Sequence, residues 1–178
     1  MAHVIEAAPT GRAKCRGCAQ KIDAGALRFG ERMPNPFADG ETTQWYHLDC
    51  GAFKRPEAFL EALAAREEAL DGRERLESEA KLGVDHRRVA RVDGADRAPT
   101  GRAVCRHCRE PIAKGAWRIR LVFYEEGRFS PSGYVHVGCG AAYFETTAVL
   151  PRVRRFAPDL GDEDLREIER GLESQAPA

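Results

Sequence analysis

No run of about 18 or more apolar residues occurs in this 178-residue chain, so its hydropathy offers no membrane-crossing helix. The opening Met-Ala-His-Val-Ile-Glu has no basic stretch ahead of an apolar core. That argues against a secretory signal and for an intracellular, reducing setting. No phosphate-cradling glycine loop, Ser/His/Asp set, ligase lysine motif or cluster of spare carboxylates is visible, so the chain lacks the marks of an enzyme. Net charge is missing too, because 28 Lys and Arg cancel 28 Asp and Glu. Cysteine is limited to six residues, and in a reducing compartment paired cysteines are more often metal ligands than disulfides.

The neutral average hides a pattern. Residues 8–55 hold 8 basic and 5 acidic side chains, and residues 98–140 hold 7 and 3. The intervening residues 56–97 hold 8 and 11, and residues 141–178 hold 5 and 8. Positive charge collects where the cysteines are. The same two regions repeat one another: Ala8-Pro9-Thr10-Gly11-Arg12-Ala13 recurs identically as Ala98-Pro99-Thr100-Gly101-Arg102-Ala103. Ile22, Gly25, Ala26 and Arg28 recur as Ile112, Gly115, Ala116 and Arg118 at the same offset. Six identical residues beside a matched Cys-x-x-Cys, with distal ligands also in register, mark a duplication.

The first copy reads Cys15-x2-Cys18-x28-His47-x2-Cys50, and the second Cys105-x2-Cys108-x27-His136-x2-Cys139. All six cysteines are used. Each pair brings two donors to one ion, and four such donors suit a closed, tetrahedral, structural zinc site. Two zinc ions per chain are expected. A redox Cys-x-x-Cys pair would leave Cys50 and Cys139 unexplained, and an iron–sulfur cluster fits poorly with a histidine in each set. His107 lies inside Cys-Arg-His-Cys, but Gly17 stands at that place in the first copy, so His107 reads as a bystander. His3 and His86 have no ligand context.

Between the ligand pairs, residues 26–30 and 44–47, and residues 115–123 and 133–136, read as strands. Residues 57–70 read as a helix ending before Gly72, and 73–82 as a second. The polar stretch 84–98, with Gly94 and Pro99, reads as a linker. Leu165, Ile168 and Leu172 fall at helical spacing behind an acidic first turn, with fraying expected over residues 174–178. The expected organisation is a small α+β protein: a zinc finger over 1–55, a helical linker over 56–97, a second finger over 98–150 and a helical tail over 151–178. Each module spans only about 40 residues between its outer ligands, so the metal is expected to carry much of its folding.

The order Gly-Arg-Ala-x-Cys-x-x-Cys, Ile, Leu-Arg, Phe-Ala-Asp-Gly, Trp-Tyr-His-x-x-Cys resembles the zinc finger of poly(ADP-ribose) polymerases, a finger also carried by a DNA ligase and a DNA 3′-phosphoesterase. The resemblance covers residues 8–55 and 98–144. It implies binding at DNA strand breaks, with Arg12, Arg28, Arg102 and Arg118 facing phosphates. It also implies an apolar side chain set against the base pair that a break uncovers: Phe37 in the first copy, and Phe129, in the loop Glu125 to Gly133, in the second. Trp45 and Tyr134 read as core supports beside the metal, and Arg16, Arg106 and Arg109 as ordinary surface residues.

The chemistry stands without the resemblance. A break exposes a base face on which an aromatic ring can stack for about 1–3 kcal/mol, and arginines fix position on phosphates without reading sequence. The expected function is therefore zinc-dependent recognition of DNA with single-strand breaks, as a monomer on DNA and without enzymatic activity. One finger would lie on each side of the lesion, and any repair-protein partner is unidentified. The alternative is a protein-interaction adaptor that keeps the finger fold without binding DNA.

Overall fold

The computed structural model describes residues 2–174 and divides the chain into two compact units, one up to Asp85 and one from His86 onward. Each is α+β, built on a three-stranded antiparallel sheet in sequential order. Of the residues 174–178 expected to fray, Ser174 closes the last helix, and residues 175–178 lie outside the described residues. Among the described residues, no helix is long and apolar enough to cross a membrane.

In the first unit the sheet comprises β1 (Val4–Ala7), β2 (Leu27–Pro34) and β3 (Glu41–His47). Three helices follow: α1 (Leu48–Lys54), α2 (Pro56–Ala64) and α3 (Arg73–Asp85). Alternation in β2 sends Phe29 and Glu31 to one face, and Arg28 and Gly30 to the other. Phe29 is fully buried between Tyr46 and Phe59, with ring centroids 5.7 and 5.4 Å away. Gly51 of α1 lies so close to Phe29 that a Cβ there would sit 2.6 Å from the ring. Glu31, on the same buried face, is satisfied by a forked ion pair from Arg55, with bonds of 2.7 and 2.8 Å.

The sequence pattern suggested a single helix to Leu70, but α2 ends at Ala64. Arg73 supplies the stop by donating to the carbonyls of Leu63 and Arg66, at 2.7 and 3.2 Å. Gly72, with φ of +71°, then turns the chain into α3, whose Leu76 and Ala80 are buried.

The second unit repeats the sheet as β4 (Val92–Arg97), β5 (Trp117–Glu125) and β6 (Arg128–His136). It adds α4 (Gly140–Phe144), α5 (Leu150–Phe156) and α6 (Asp162–Ser174). The linker expected over residues 56–97 is not one. Its first part is the helical layer of the first unit, and its last part is a 3-10 turn (Arg87–Arg91) and the edge strand β4 of the second. Gly94, which suggested a linker, marks a bulge in β4. Its φ is +98°, and a Cβ would press on Arg120 and on the Phe156 carbonyl. Arg120 stitches this irregular edge by donating to the carbonyls of Asp93, Ala95 and Phe156.

The tail expected over residues 151–178 is likewise core where it is described. Leu165, Ile168 and Leu172 join Val92, Ile119, Val135 and Phe144 in one apolar cluster. Neither unit is therefore as small as the interval between its ligands. Replacing the fully buried Ile168 with Ala should remove about 2–5 kcal/mol of stability. Hydrogen exchange should show the loss in the second unit, with protection in the first unit kept; unchanged protection in both would contradict a core role for α6.

Candidate metal centres

The knuckle that carries the first two cysteines is a short antiparallel loop docked on the end of the sheet. Ile22 donates to the Ala13 carbonyl and Cys15 to Gln20, at 2.9 and 2.8 Å, while Arg16 donates to the Trp45 carbonyl of β3. The second knuckle repeats all three bonds through Ile112, Cys105 and Arg106. The residue after each Cys-x-x-Cys, Ala19 or Arg109, takes a left-handed φ of +62° or +67°, a conformation uncommon outside glycine. The strand end contributes the histidine, and the helical turn beginning after it contributes the last cysteine.

Cys15, Cys18, His47 and Cys50 bring their ligand atoms within 4.8 Å of one another, and so do Cys105, Cys108, His136 and Cys139. In both sets the histidine Nδ1 faces sulfur, 3.4 Å from Cys18 or Cys108. Its Nε2 lies against a backbone carbonyl, Lys21 at 3.0 Å or Pro111 at 3.2 Å. That second bond fixes the tautomer and leaves Nδ1 with its lone pair toward the sulfurs, the arrangement a metal requires. Backbone N–H groups of His47 and His136 also point at Cys15 and Cys105 Sγ, each at 3.4 Å.

Crowded sulfurs divide their protons unevenly. Hydrogen bonding with Cys15 and Cys50 holds Cys18 far below the ordinary thiol range, while the bond to Cys18, together with burial, pushes Cys15 up. In the second set burial works to raise Cys105, but N–H groups of Cys108, His136 and His107 bring it to about 7. Burial and the neighbouring Cys105 push Cys139 to about 12. A dication bound by a set would remove this rivalry, since all three cysteines would then serve as thiolates. Three thiolates and one imidazole match zinc in number and softness and leave no open position, so each group can hold one structural zinc ion.

A second duplicated constellation sits beside each metal set. Arg28 donates to Glu6 at 2.7 Å and lies 3.4 Å over the Trp45 ring. Arg118 donates to Asp96 at 2.7 Å and lies 3.6 Å over Tyr134. Both arginines are buried, at 7% and 6% exposure. Their Asp96 or Glu6 partner, on the first strand of each sheet, was missed from the sequence. A signal existed: Glu6 and Asp96 stand at the repeat offset of 90, two residues before the identical Ala-Pro-Thr-Gly-Arg-Ala.

Arg12 and Arg102 are exposed, and the backbone of each turns on a threonine hydroxyl two residues earlier. Phe37 stands at the tip of the loop from Asn35 to Gly40 and is 85% exposed. The loop is pinned below it, because Asn35 donates to the Gly40 carbonyl and its Oδ1 accepts the Phe37 N–H. The second unit differs here. The loop expected from Glu125 to Gly133 is a tight hairpin, with Glu126 and Gly127 both at positive φ, as a two-residue turn of this kind demands. Phe129 is half-buried in β6, paired across the hairpin with Tyr124 at 4.7 Å between ring centroids.

Fold and sites together define a duplicated finger organised by structural metal. The family model of the poly(ADP-ribose) polymerase and DNA-ligase zinc-finger region matches residues 6–87. A poly(ADP-ribose) polymerase of Sarcophaga peregrina is 28% identical over 138 residues, covering 68% of this chain and 14% of the relative. Poly(ADP-ribose) polymerase 1 of Gallus gallus is 40% identical over 63 residues, 34% of this chain and 6% of the relative. A polynucleotide 3′-phosphatase of Arabidopsis thaliana is 25% identical over 162 residues, 76% of this chain and 23% of the relative. The chain thus spans less than a quarter of the length of these relatives. Residues 6–87 form a zinc finger of the poly(ADP-ribose) polymerase type, and the second Cys3His set agrees with a second copy.

Purified protein should contain two zinc ions per chain by elemental analysis. Cys50→Ala and Cys139→Ala should each lower that to one and destabilise only the unit that carries the change. Retention of both ions by either variant would contradict the ligand assignment.

Proposed function

We propose that this protein binds DNA at single-strand breaks, with Phe37 stacking on the base pair that the break uncovers. The exposure of Phe37 carries the reading. An aromatic ring 85% exposed on a pinned loop gains nothing from its own core, so its apolar face is available to a ligand. The match of the surrounding unit to fingers of poly(ADP-ribose) polymerases and DNA ligases, and the likeness to a polynucleotide phosphatase, support a nucleic-acid ligand. Intact duplex presents no free base face, whereas a nick does.

Phosphate contact falls first to Arg12 and Arg102, which are exposed and ready to pair. Arg28 and Arg118 would meet phosphate only by sharing or releasing Glu6 and Asp96. Their nearer effect is to tie the first and last strands of each sheet together beside the metal. Phe129 would have to leave Tyr124 before stacking on a base, whereas Phe37 needs no such rearrangement. The chain acts as a monomer on DNA and as a sensor without catalysis of its own, since a saturated zinc site activates no water.

Two measurements test this. Phe37→Ala should weaken binding to nicked duplex by about 1–3 kcal/mol and leave intact duplex, zinc content and melting temperature unchanged. Equal weakening on both substrates would sink the stacking role. Arg12→Gln and Arg102→Gln should each flatten the dependence of log K on log salt by about 0.9; slopes identical to the unaltered chain would place both side chains off the DNA.

A further inference from the structure

The two knuckles share a backbone but differ in the pair of side chains they present outward. In the first unit, residues 14 and 21 form an isolated antiparallel bridge, flanked by the bonds Ile22 to Ala13 and Cys15 to Gln20. Lys14 and Lys21 are therefore a non-hydrogen-bonded pair, the closer of the two antiparallel spacings, with Cα atoms about 4.5 Å apart. Their neighbours Cys15 and Ile22 turn inward and are buried, so both lysines stand on the outer face, and both are exposed. Neither ammonium has an ion-pair or hydrogen-bond partner among the described residues.

Like charges directly opposite one another destabilise a strand pair. The fold does not require them. In the second unit the same bridge, with the same flanking bonds, carries Val104 and Pro111. The first knuckle is also held rigid where the pair sits, because the Lys21 carbonyl is the partner of His47 Nε2. Arg12 lies two residues before Lys14 and adds a third exposed cation.

We propose that Lys14 and Lys21 form a phosphate clamp on the first unit, a contact with the DNA backbone that the second unit lacks. The inference rests on the DNA-binding reading above. A phosphate placed between two ammoniums turns their mutual repulsion into attraction to a shared anion, so the pair costs stability only in the free protein. The grip of the two units is then unequal, and a larger share of the salt dependence belongs to the first.

The zinc-loaded full chain should be titrated with fluorescent nicked duplex between 50 and 200 mM salt. The double variant Lys14→Gln/Lys21→Gln should flatten the slope of log K against log salt by about 0.9, the value expected for the one phosphate the pair shares. Lys14→Arg/Lys21→Arg should keep the slope. The glutamine variant should keep its zinc and melt no lower than the unaltered chain, since a repulsion has been removed. An unchanged slope in the glutamine variant, beside a flattened one in Arg12→Gln, would overturn the clamp and leave the DNA-binding reading standing. Loss of zinc or a lower melting temperature would show that the lysines serve the fold, and would overturn the clamp as well. Failure of the unaltered chain to bind nicked duplex would overturn both.

Discussion

Each unit depends on one tie: the Cys3His group that fastens a strained knuckle to the end of the last strand and to the turn after it. The knuckle is held by four backbone bonds and the burial of Ile22 or Ile112, and one of its residues takes a left-handed conformation without being glycine. Zinc bound to such a group supplies on the order of 10–16 kcal/mol at neutral pH, far more than the strain of one residue. Because the histidine is both a metal ligand and a strand residue, the register of the sheet and the position of the knuckle are set together. Arg28 pairs with His47 across β2 and β3, and Arg118 with His136 across β5 and β6.

That register explains why the acid–arginine–aromatic stack is duplicated along with the ligands. On one face of each sheet the first strand supplies a carboxylate, the middle strand the guanidinium and the last strand the ring. Burying a charged arginine is costly unless it is paired, and here both the carboxylate and the ring face compensate it. The stack ties all three strands of each sheet together beside the metal.

Much of the site was legible in the sequence, because metal ligation imposes spacing that no other constraint mimics. All eight ligands, four of the six strands and the existence of the repeat follow from residue order alone. What was not legible depends on tertiary packing. Strands β1 and β4 are short, lie at sheet edges, and carry Glu6 or Asp96 where an alternating apolar pattern was sought. Gly94 and the polar residues around it look like a linker because a bulged edge strand and a linker share composition. Residues 65–70 kept a helical pattern, but Arg73 captured the carbonyls of Leu63 and Arg66 that would continue α2.

Duplication made two units with one backbone plan, yet their outer surfaces have diverged at two places that the core does not constrain. At the hairpin between the last two strands, the first unit keeps a six-residue loop with Phe37 at its tip, while the second has a two-residue turn and folds its aromatic residue onto Tyr124. At the knuckle, the first unit sets two lysines side by side and the second sets Val104 and Pro111. Both differences run the same way. The first unit holds a ring exposed at its hairpin tip and a cluster of positive charge on its knuckle, each unfavourable in an isolated protein; at these two places the second unit has neither. The second unit has the same backbone bonds without either feature at these positions, so the finger's fold does not require them. Under the proposed function the two features have one use, because a nick offers an open base face and adjacent phosphates together.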